Sequence, residues 1–150
     1  MVFEVSFERM SLDDLDGVMA VEHTAFVTPW SRRAFVTELT ENAYAYYIVA
    51  RVDGAVAGYG GMWLIIDEAH VTNIAVHSHY RGQGIGERLM LELIAGAKER
   101  GCLRMTLEVR RSNQPAQQLY SKLGFEPRGV RRGYYTDTRE DAIVMWKDHL

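Results

Sequence analysis

A single cysteine, Cys102, stands in the 150 residues, so no internal disulfide is available and a reducing compartment is expected. No charged and then apolar leader opens the sequence, and no apolar run approaches the roughly 20 residues that a membrane-spanning helix needs. The expectation is a cytoplasmic chain, neither exported nor embedded in a membrane. Charge of one sign is only in small excess: the net charge of -3 gives no general attraction to phosphate backbones, which makes nucleic acid a poor partner. Proline is sparse, at three residues, and neither a linker nor a repeat interrupts the chain. With 47% apolar and 25% charged residues the balance is that of a globular protein. One domain over residues 1–150 is expected, large enough to bury about two-thirds of its unfolded surface, and a monomer is the simplest state.

What is present reads as alternating strands and helices. Residues 2–8 alternate apolar and polar, and Ser11 with Asp14 forms a capping-box pattern ahead of a helix carrying Leu15, Val18, Met19 and Glu22. After Pro29, Ser31 caps a second helix with Phe35, Val36 and Leu39 on one side. Residues 46–52 and 55–64 are β-rich and joined by Asp53-Gly54, the dipeptide of a tight hairpin. A polar turn at Asp67-Glu68 then precedes a strand at 71–76. The helix that follows carries Ile85, Leu89, Leu93, Ile94 and Ala97 and ends at Gly101. Residues 103–109 alternate as a strand, with Glu108 on the polar side. Asn113 caps a further helix with Pro115 in its first turn and Gly124 at its close, and strands near 125–132 and 142–146 finish the chain. The order predicts an α/β fold: a mixed seven-stranded sheet flanked by about four helices, with a parallel pair formed by the unit 71–109.

Between the strand at 71–76 and the third helix lies Arg81-Gly82-Gln83-Gly84-Ile85-Gly86-Glu87, which runs into the start of that helix. Glycines at alternate positions let backbone N–H groups converge at a helix N-terminus, where a diphosphate fits, and Arg81 adds a cation. A P-loop is excluded because Gly86 is followed by Glu87-Arg88 rather than Lys-Ser/Thr, and a dinucleotide fingerprint would need its third glycine one place later. On the residues alone, a tight strand-to-helix turn without any ligand accounts for the segment as well.

That loop, following Asn73-Ile74-Ala75-Val76 inside a parallel crossover, resembles the coenzyme A diphosphate loop of the GNAT acetyltransferase superfamily, and the strand-helix order resembles that superfamily over nearly the whole chain. Leu119-Tyr120-Ser121-Lys122-Leu123-Gly124-Phe125 is similar to its late tyrosine-bearing helix. Thr28-Pro29-Trp30-Ser31, Asp67-Glu68-Ala69-His70, Leu107-Glu108-Val109-Arg110 and Arg132-Gly133-Tyr134-Tyr135 resemble the bacterial ribosomal-protein alanine N-acetyltransferase family. The resemblance implies a GNAT fold and an enzyme that moves the acetyl group of acetyl-CoA to the N-terminal α-amine of a protein, with alanine of a small-subunit ribosomal protein as the expected target. It needs no metal.

The resemblance also assigns residues. Glu108 becomes the general base, whereas on the residues alone it reads first as a strand carboxylate paired with Arg104 or Arg110. Tyr120 becomes the general acid, with a core aromatic as its other use. Ile74, Ala75 and Val76 offer backbone groups to the pantetheine arm, the segment from Arg81 to Glu87 takes the diphosphate, and Asn113 and Tyr120 contact the coenzyme. Trp30, Tyr134, Tyr135, Asp137 and Glu140 are expected near the peptide entrance, although Arg128, Arg131 and Arg132 are placed to neutralise an acidic turn there. An α-amine, with a reference pKa of about 7.7–8.0 against about 10.4 for lysine, surrenders its proton more readily near neutrality. The competing readings are a GNAT enzyme for lysine side chains or small amines, and an inert coenzyme-A-binding module. Asp67-Glu68-Ala69-His70 is read as a turn, His77-Ser78-His79 as surface rather than metal ligands, and Cys102 as buried packing.

Overall fold

The computed structural model describes residues 4–150; Val2 and Phe3 of the expected first strand lie outside them. β1 (Ser6–Arg9) leads into a 3-10 turn (Leu12–Asp14) and then α1 (Leu15–Ala25). In the capping pair the Asp14 carboxylate accepts the Ser11 N–H at 2.8 Å and the Ser11 hydroxyl at 3.3 Å. α2 (Arg32–Glu41) is capped by Ser31, whose hydroxyl accepts the Ala34 N–H at 3.1 Å. β2 (Ala45–Val52) and β3 (Ala55–Ile65) form the hairpin, with Asp53 and Gly54 both left-handed at φ 51° and 81°, the backbone that a right-twisted two-residue turn requires. α3 (Ile85–Glu99), β5 (Arg104–Arg110), α4 (Gln114–Lys122), β6 (Glu126–Tyr135) and β7 (Glu140–Lys147) follow.

One expectation is corrected here. The turn before β4 falls at residues 66 and 67, with Ile66 at φ 57°, and β4 runs Glu68–Val76. Glu68, Ala69 and His70 are therefore strand, not turn. Polarity suggested a loop, but these residues sit beside β5, where the sheet supplies partners for their backbone.

The seven strands lie in the order β1-β2-β3-β4-β5-β7-β6. Every neighbour is antiparallel except β4 and β5. That parallel pair is short: it spans Glu68↔Arg104 to His70↔Thr106 and stops. β4 nevertheless stays paired with β3 as far as Val76, and β5 with β7 as far as Arg110, so the sheet forks in its middle. The register supplies the cause. Gly61 opposes Asn73 but Met62 opposes Val71, which leaves Thr72 as an extra residue in β4, and a bulge bends the strand that carries it. Gly61 is required opposite the bulge, since a Cβ there would lie 2.1 Å from the Tyr47 ring.

Helices cover both faces. α3 places Leu89, Met90 and Leu93 against Met105 and Leu107, while α1 and α2 place Leu15, Val18, Val21 and Phe35 against Tyr47 and Tyr59. Each such buried aliphatic side chain contributes about 1.5–3 kcal/mol. Arg51 of β2 ties the α1 entrance to the sheet edge by pairing with both Asp14 and Glu8. Burial alone pushes the Asp14 carboxyl up, but the Ser11 N–H and the Arg51 guanidinium outweigh it and hold it below the usual range. A carboxyl lowered in the folded state stabilises the fold above its unfolded pKa of about 3.9, and that stability is lost as the pH falls through the folded value. Asp14→Asn should therefore cost roughly 1–3 kcal/mol at pH 7. In urea titrations the wild type and variant should converge at low pH, and a difference that persists at full protonation would contradict this account.

Candidate active site

The fork between β4 and β5 opens a cavity of about 290 Å³. Its walls are residues 71–74 of β4 and 107–110 of β5. Phe26, Thr28 and Trp30 of the α1–α2 segment roof it, and Tyr120 of α4 and Tyr135 at the end of β6 close it. Among the residues expected from sequence, Glu108, Tyr120, Asn113, Ile74, Trp30 and Tyr135 meet around this one space.

Glu108 leaves β5 just beyond the fork with its side chain 8% exposed. Its partners are not the arginines beside it in sequence. Arg104 pairs with Asp67 and Glu68 at 3.4 and 3.3 Å, and Arg110 with Asp137 and Glu140 at 2.9 and 3.6 Å. Glu108 Oε2 lies 2.6 Å from His70 Nε2, and Oε1 lies 3.4 Å from Arg131 Nε of β6. His70 is the residue that sequence reasoning passed over. It pairs in register with Thr106, two positions before Glu108 on the same face, and strand alternation carried back to Glu68 would have shown this. The imidazole also meets the Trp63 ring edge-on at 6.3 Å. Glu108 is thus a carboxylate held at both oxygens and facing a cavity, a geometry suited to accepting a proton.

Tyr120 is 7% exposed and sits on α4, whose start is capped by Asn113 accepting the Ala116 N–H at 3.2 Å. Its ring packs against Phe125, and its hydroxyl makes no hydrogen bond to another described residue. Burial pushes its pKa up to about 12, so the phenol keeps its proton and can donate it into the cavity. The Asn113 cap does not preclude a ligand contact, because the residue also lines the cavity.

The glycine segment lies past Val76, beyond the cavity itself. Gly82 and Gly84 are left-handed at φ 79° and 76°, and Gly84 caps α3 without a side chain. α3 begins at Ile85, so Gly86 lies in its first turn, where a Cβ would meet Val76 at an ordinary 3.8 Å. The helical ladder begins with the Arg88 N–H on the Gly84 carbonyl, which leaves the amides of Ile85, Gly86 and Glu87 without an intrahelical acceptor. A Cβ built on Gly82 or Gly84 meets nothing within 4 Å, so the approach to these amides is open, and free amides at a helix start attract anions. The side chains of Ile85 and Glu87 point elsewhere: Ile85 is 1% exposed in the core and Glu87 pairs with Lys122 at 2.8 Å. Gln83 is exposed. Arg81 hydrogen-bonds the Val76 and Thr24 carbonyls at 3.4 and 3.3 Å, joining the end of β4 to the end of α1. Along Ile74, Ala75 and Val76, β3 takes the backbone on one side and the fork exposes the other, so alternate amide groups are open to an extended ligand.

The acidic turn between β6 and β7 is organised differently from the expectation. Asp137 and Glu140 hold Arg110, Asp141 pairs with Arg111 at 3.7 Å, and Arg110 in turn lies 4.0 Å over the Tyr135 ring. The neutralising cations thus come from β5 and the segment after it, while Arg128 pairs with Asp148 and Arg131 with Glu108. Tyr134 stands 45% exposed against Tyr135. A second carboxylate that sequence did not single out, Glu22, is 1% exposed at the cavity wall. Cys102 is buried between α3 and β5, and burial raises its thiol pKa. His77 caps the short 3-10 turn that carries His79, its Nδ1 accepting the His79 N–H at 3.0 Å.

The chain that forms this forked sheet is matched over residues 15–125 by the acetyltransferase (GNAT) family model. The chain belongs to the GNAT acetyltransferase family. A Bacillus subtilis protein assigned provisionally as a ribosomal protein bS18-alanine N-acetyltransferase is 46% identical over 143 residues, covering 95% of each chain. The Escherichia coli K12 ribosomal protein bS18-alanine N-acetyltransferase is 38% identical over 142 residues, covering 93% of this chain and 95% of that one. The crystal structure of the Escherichia coli ribosomal-protein-S18-alanine N-acetyltransferase superposes with a TM-score of 0.88 at 35% identity, covering 95% of this chain and 92% of that one. For this GNAT chain, Gly84→Ala should cost about 1 kcal/mol through its left-handed backbone. It should also weaken coenzyme A binding in calorimetry; unchanged affinity would separate the loop from the coenzyme.

Proposed function

We propose that this GNAT protein transfers an acetyl group from acetyl-coenzyme A to the N-terminal α-amine of a protein, with a ribosomal protein beginning in alanine as the natural target. The observation that carries the reading is the convergence of Glu108 and Tyr120 on one cavity at the sheet fork. The names of the relatives support the same substrate. The reaction needs a base for the amine and a proton for the departing thiolate.

Bound acetyl-coenzyme A supplies an activated acetyl group as a thioester. The amides after Gly84 bind its diphosphate, the open edge of residues 74–76 orients its arm, and Asn113 contacts it. Glu108 removes a proton from the incoming ammonium, directly or through one water. His70 and Arg131 keep the carboxylate aimed into the cavity. Tyr120 Oη gives its proton to the leaving sulfur. Trp30 and Tyr135 flank the space left for the peptide and exclude bulk water, while Tyr134, Asp137 and Glu140 shape the outer rim. The enzyme acts as a cytoplasmic monomer in this reading, with no metal in the reaction.

Thiol release measured with peptides beginning in Ala, Ser or Met, beside an N-blocked peptide carrying lysine, tests the assignment. Preference for the N-blocked lysine peptide would overturn it. Glu108→Gln should slow turnover by roughly 10²–10⁴-fold, most severely at low pH, where the amine is most protonated. Tyr120→Phe should slow turnover while leaving coenzyme A affinity intact. Because the Tyr120 phenol is raised to about 12, the wild-type rate should climb through the amine pKa of about 8 and then stay level to about pH 10. An alkaline fall centred below that value would remove Tyr120 as the acid.

A further inference from the structure

Besides Asp14, two buried carboxylates take no part in the proposed chemistry: Glu22 of α1, 1% exposed, and Glu38 of α2, 8% exposed. One chain of hydrogen bonds joins them. Glu22 Oε1 accepts the Tyr59 hydroxyl, and Asn73 Nδ2 donates to that hydroxyl oxygen at 2.9 Å. Thr72 donates to Asn73 Oδ1 at 2.8 Å and lies 3.1 Å from the Tyr47 hydroxyl, which donates to Glu38 Oε1 at 2.8 Å. Trp63 Nε1 and Asn42 Nδ2 complete Glu38 at 2.7 and 2.6 Å.

The two ends differ in what they touch. Glu38 holds α2 to the sheet behind the cavity. Glu22 lies at the cavity itself, and its second oxygen accepts the Trp30 N–H at 2.8 Å. Between residues 27 and 30 this is the one hydrogen bond from a backbone group among the described residues, so the roof segment hangs on Glu22 and on the Trp30 ring against Phe35, 5.3 Å away. Through Tyr59 the same carboxylate reaches Asn73, which forms the facing wall. Burial raises the Glu22 carboxyl above the usual range, the cost of keeping it in a dry place, and both its oxygens are engaged, one by the Trp30 N–H of the roof and the other by the buried Tyr59 hydroxyl.

We propose that Glu22 is a positioning residue that sets the distance between the Trp30 roof and the Asn73 wall, and thereby restricts the first residue of the peptide to a small side chain. The inference rests on the peptide-acetylation reading above. Glu22 touches no reacting atom: it acts through Trp30 and Asn73, so its loss should alter selectivity and peptide KM more than the chemical step.

The experiment compares wild type, Glu22→Ala, Glu22→Gln and Glu38→Ala on otherwise identical peptides beginning in Ala or Leu, recording kcat and KM, with coenzyme A affinity by calorimetry and melting temperature alongside. Glu22→Ala should raise KM for the Ala peptide and compress the Ala-over-Leu preference, each by roughly tenfold, while kcat on Ala and coenzyme A affinity change less than about threefold. Glu22→Gln, which still offers an acceptor to the Trp30 N–H, should recover most of the preference. Glu38→Ala should lower the melting temperature without moving the preference. An unchanged Ala-to-Leu ratio in Glu22→Ala, or an equal change in Glu38→Ala, overturns the inference. If Glu22→Ala does not fold, Tyr59→Phe cuts the link to Asn73 and must shift the same ratio in the same direction; a fixed ratio there also overturns it. Wild type without activity on any free N-terminus would instead sink the peptide reading, and this inference with it, before any variant is made.

Discussion

The parting of β4 from β5 after His70 governs the rest of the molecule. In an unbroken sheet the backbone of residues 71–76 would be consumed by both neighbours, and Glu108 would lie on a continuous surface. The extra residue at Thr72 bends β4 away, so a row of amide groups opens in the middle of the sheet rather than at its edge. Buried backbone groups without partners are costly, and an extended ligand with alternating donors and acceptors meets that need. The same bend brings α3, which follows β4, to the far end of the opening, and leaves Glu108 and His70 at its apex.

Around the fork, charge serves geometry more than stability. Exposed ion pairs contribute little, typically about 0–1 kcal/mol. Arg110 nevertheless does several positional jobs: it holds Asp137 and Glu140, and it lies over the face of Tyr135, fixing the β6–β7 turn beside the cavity. Arg131 reaches from the outer strand pair to Glu108. The acidic rim is thereby largely satisfied within the chain and exerts little long-range attraction of its own. At the roof Glu22 holds the Trp30 N–H, while Glu38 fastens α2 to the sheet behind the cavity, and full partnering of both carboxylates offsets their desolvation.

Local chemistry was legible wherever the cause of structure lies within a few residues. Ser31 and Asn113 cap helices because their side-chain oxygens reach amides three positions on, and Asp53-Gly54 turns because both residues tolerate left-handed backbone. Gly82 and Gly84 mark the start of α3 because both take left-handed backbone there. The strand at Glu68–His70 was missed for the converse reason: its residues are polar, and only pairing with β5 makes them strand. With it went His70, whose contact with Glu108 spans 38 positions.

By itself, then, the order of residues determined the elements, the glycine-capped helix, the mixed sheet and the family resemblance, since each depends on periodicity or on contacts between near neighbours in the chain. Tertiary structure alone decided that Glu108 turns to His70 and Arg131 instead of to Arg104 and Arg110, that the acidic turn is spent on Arg110, and that Glu22 spans roof and wall. Those choices are made by register and by a bulge, and a one-residue shift in either redirects every side chain on a strand, so no inspection of neighbours along the chain can foresee them.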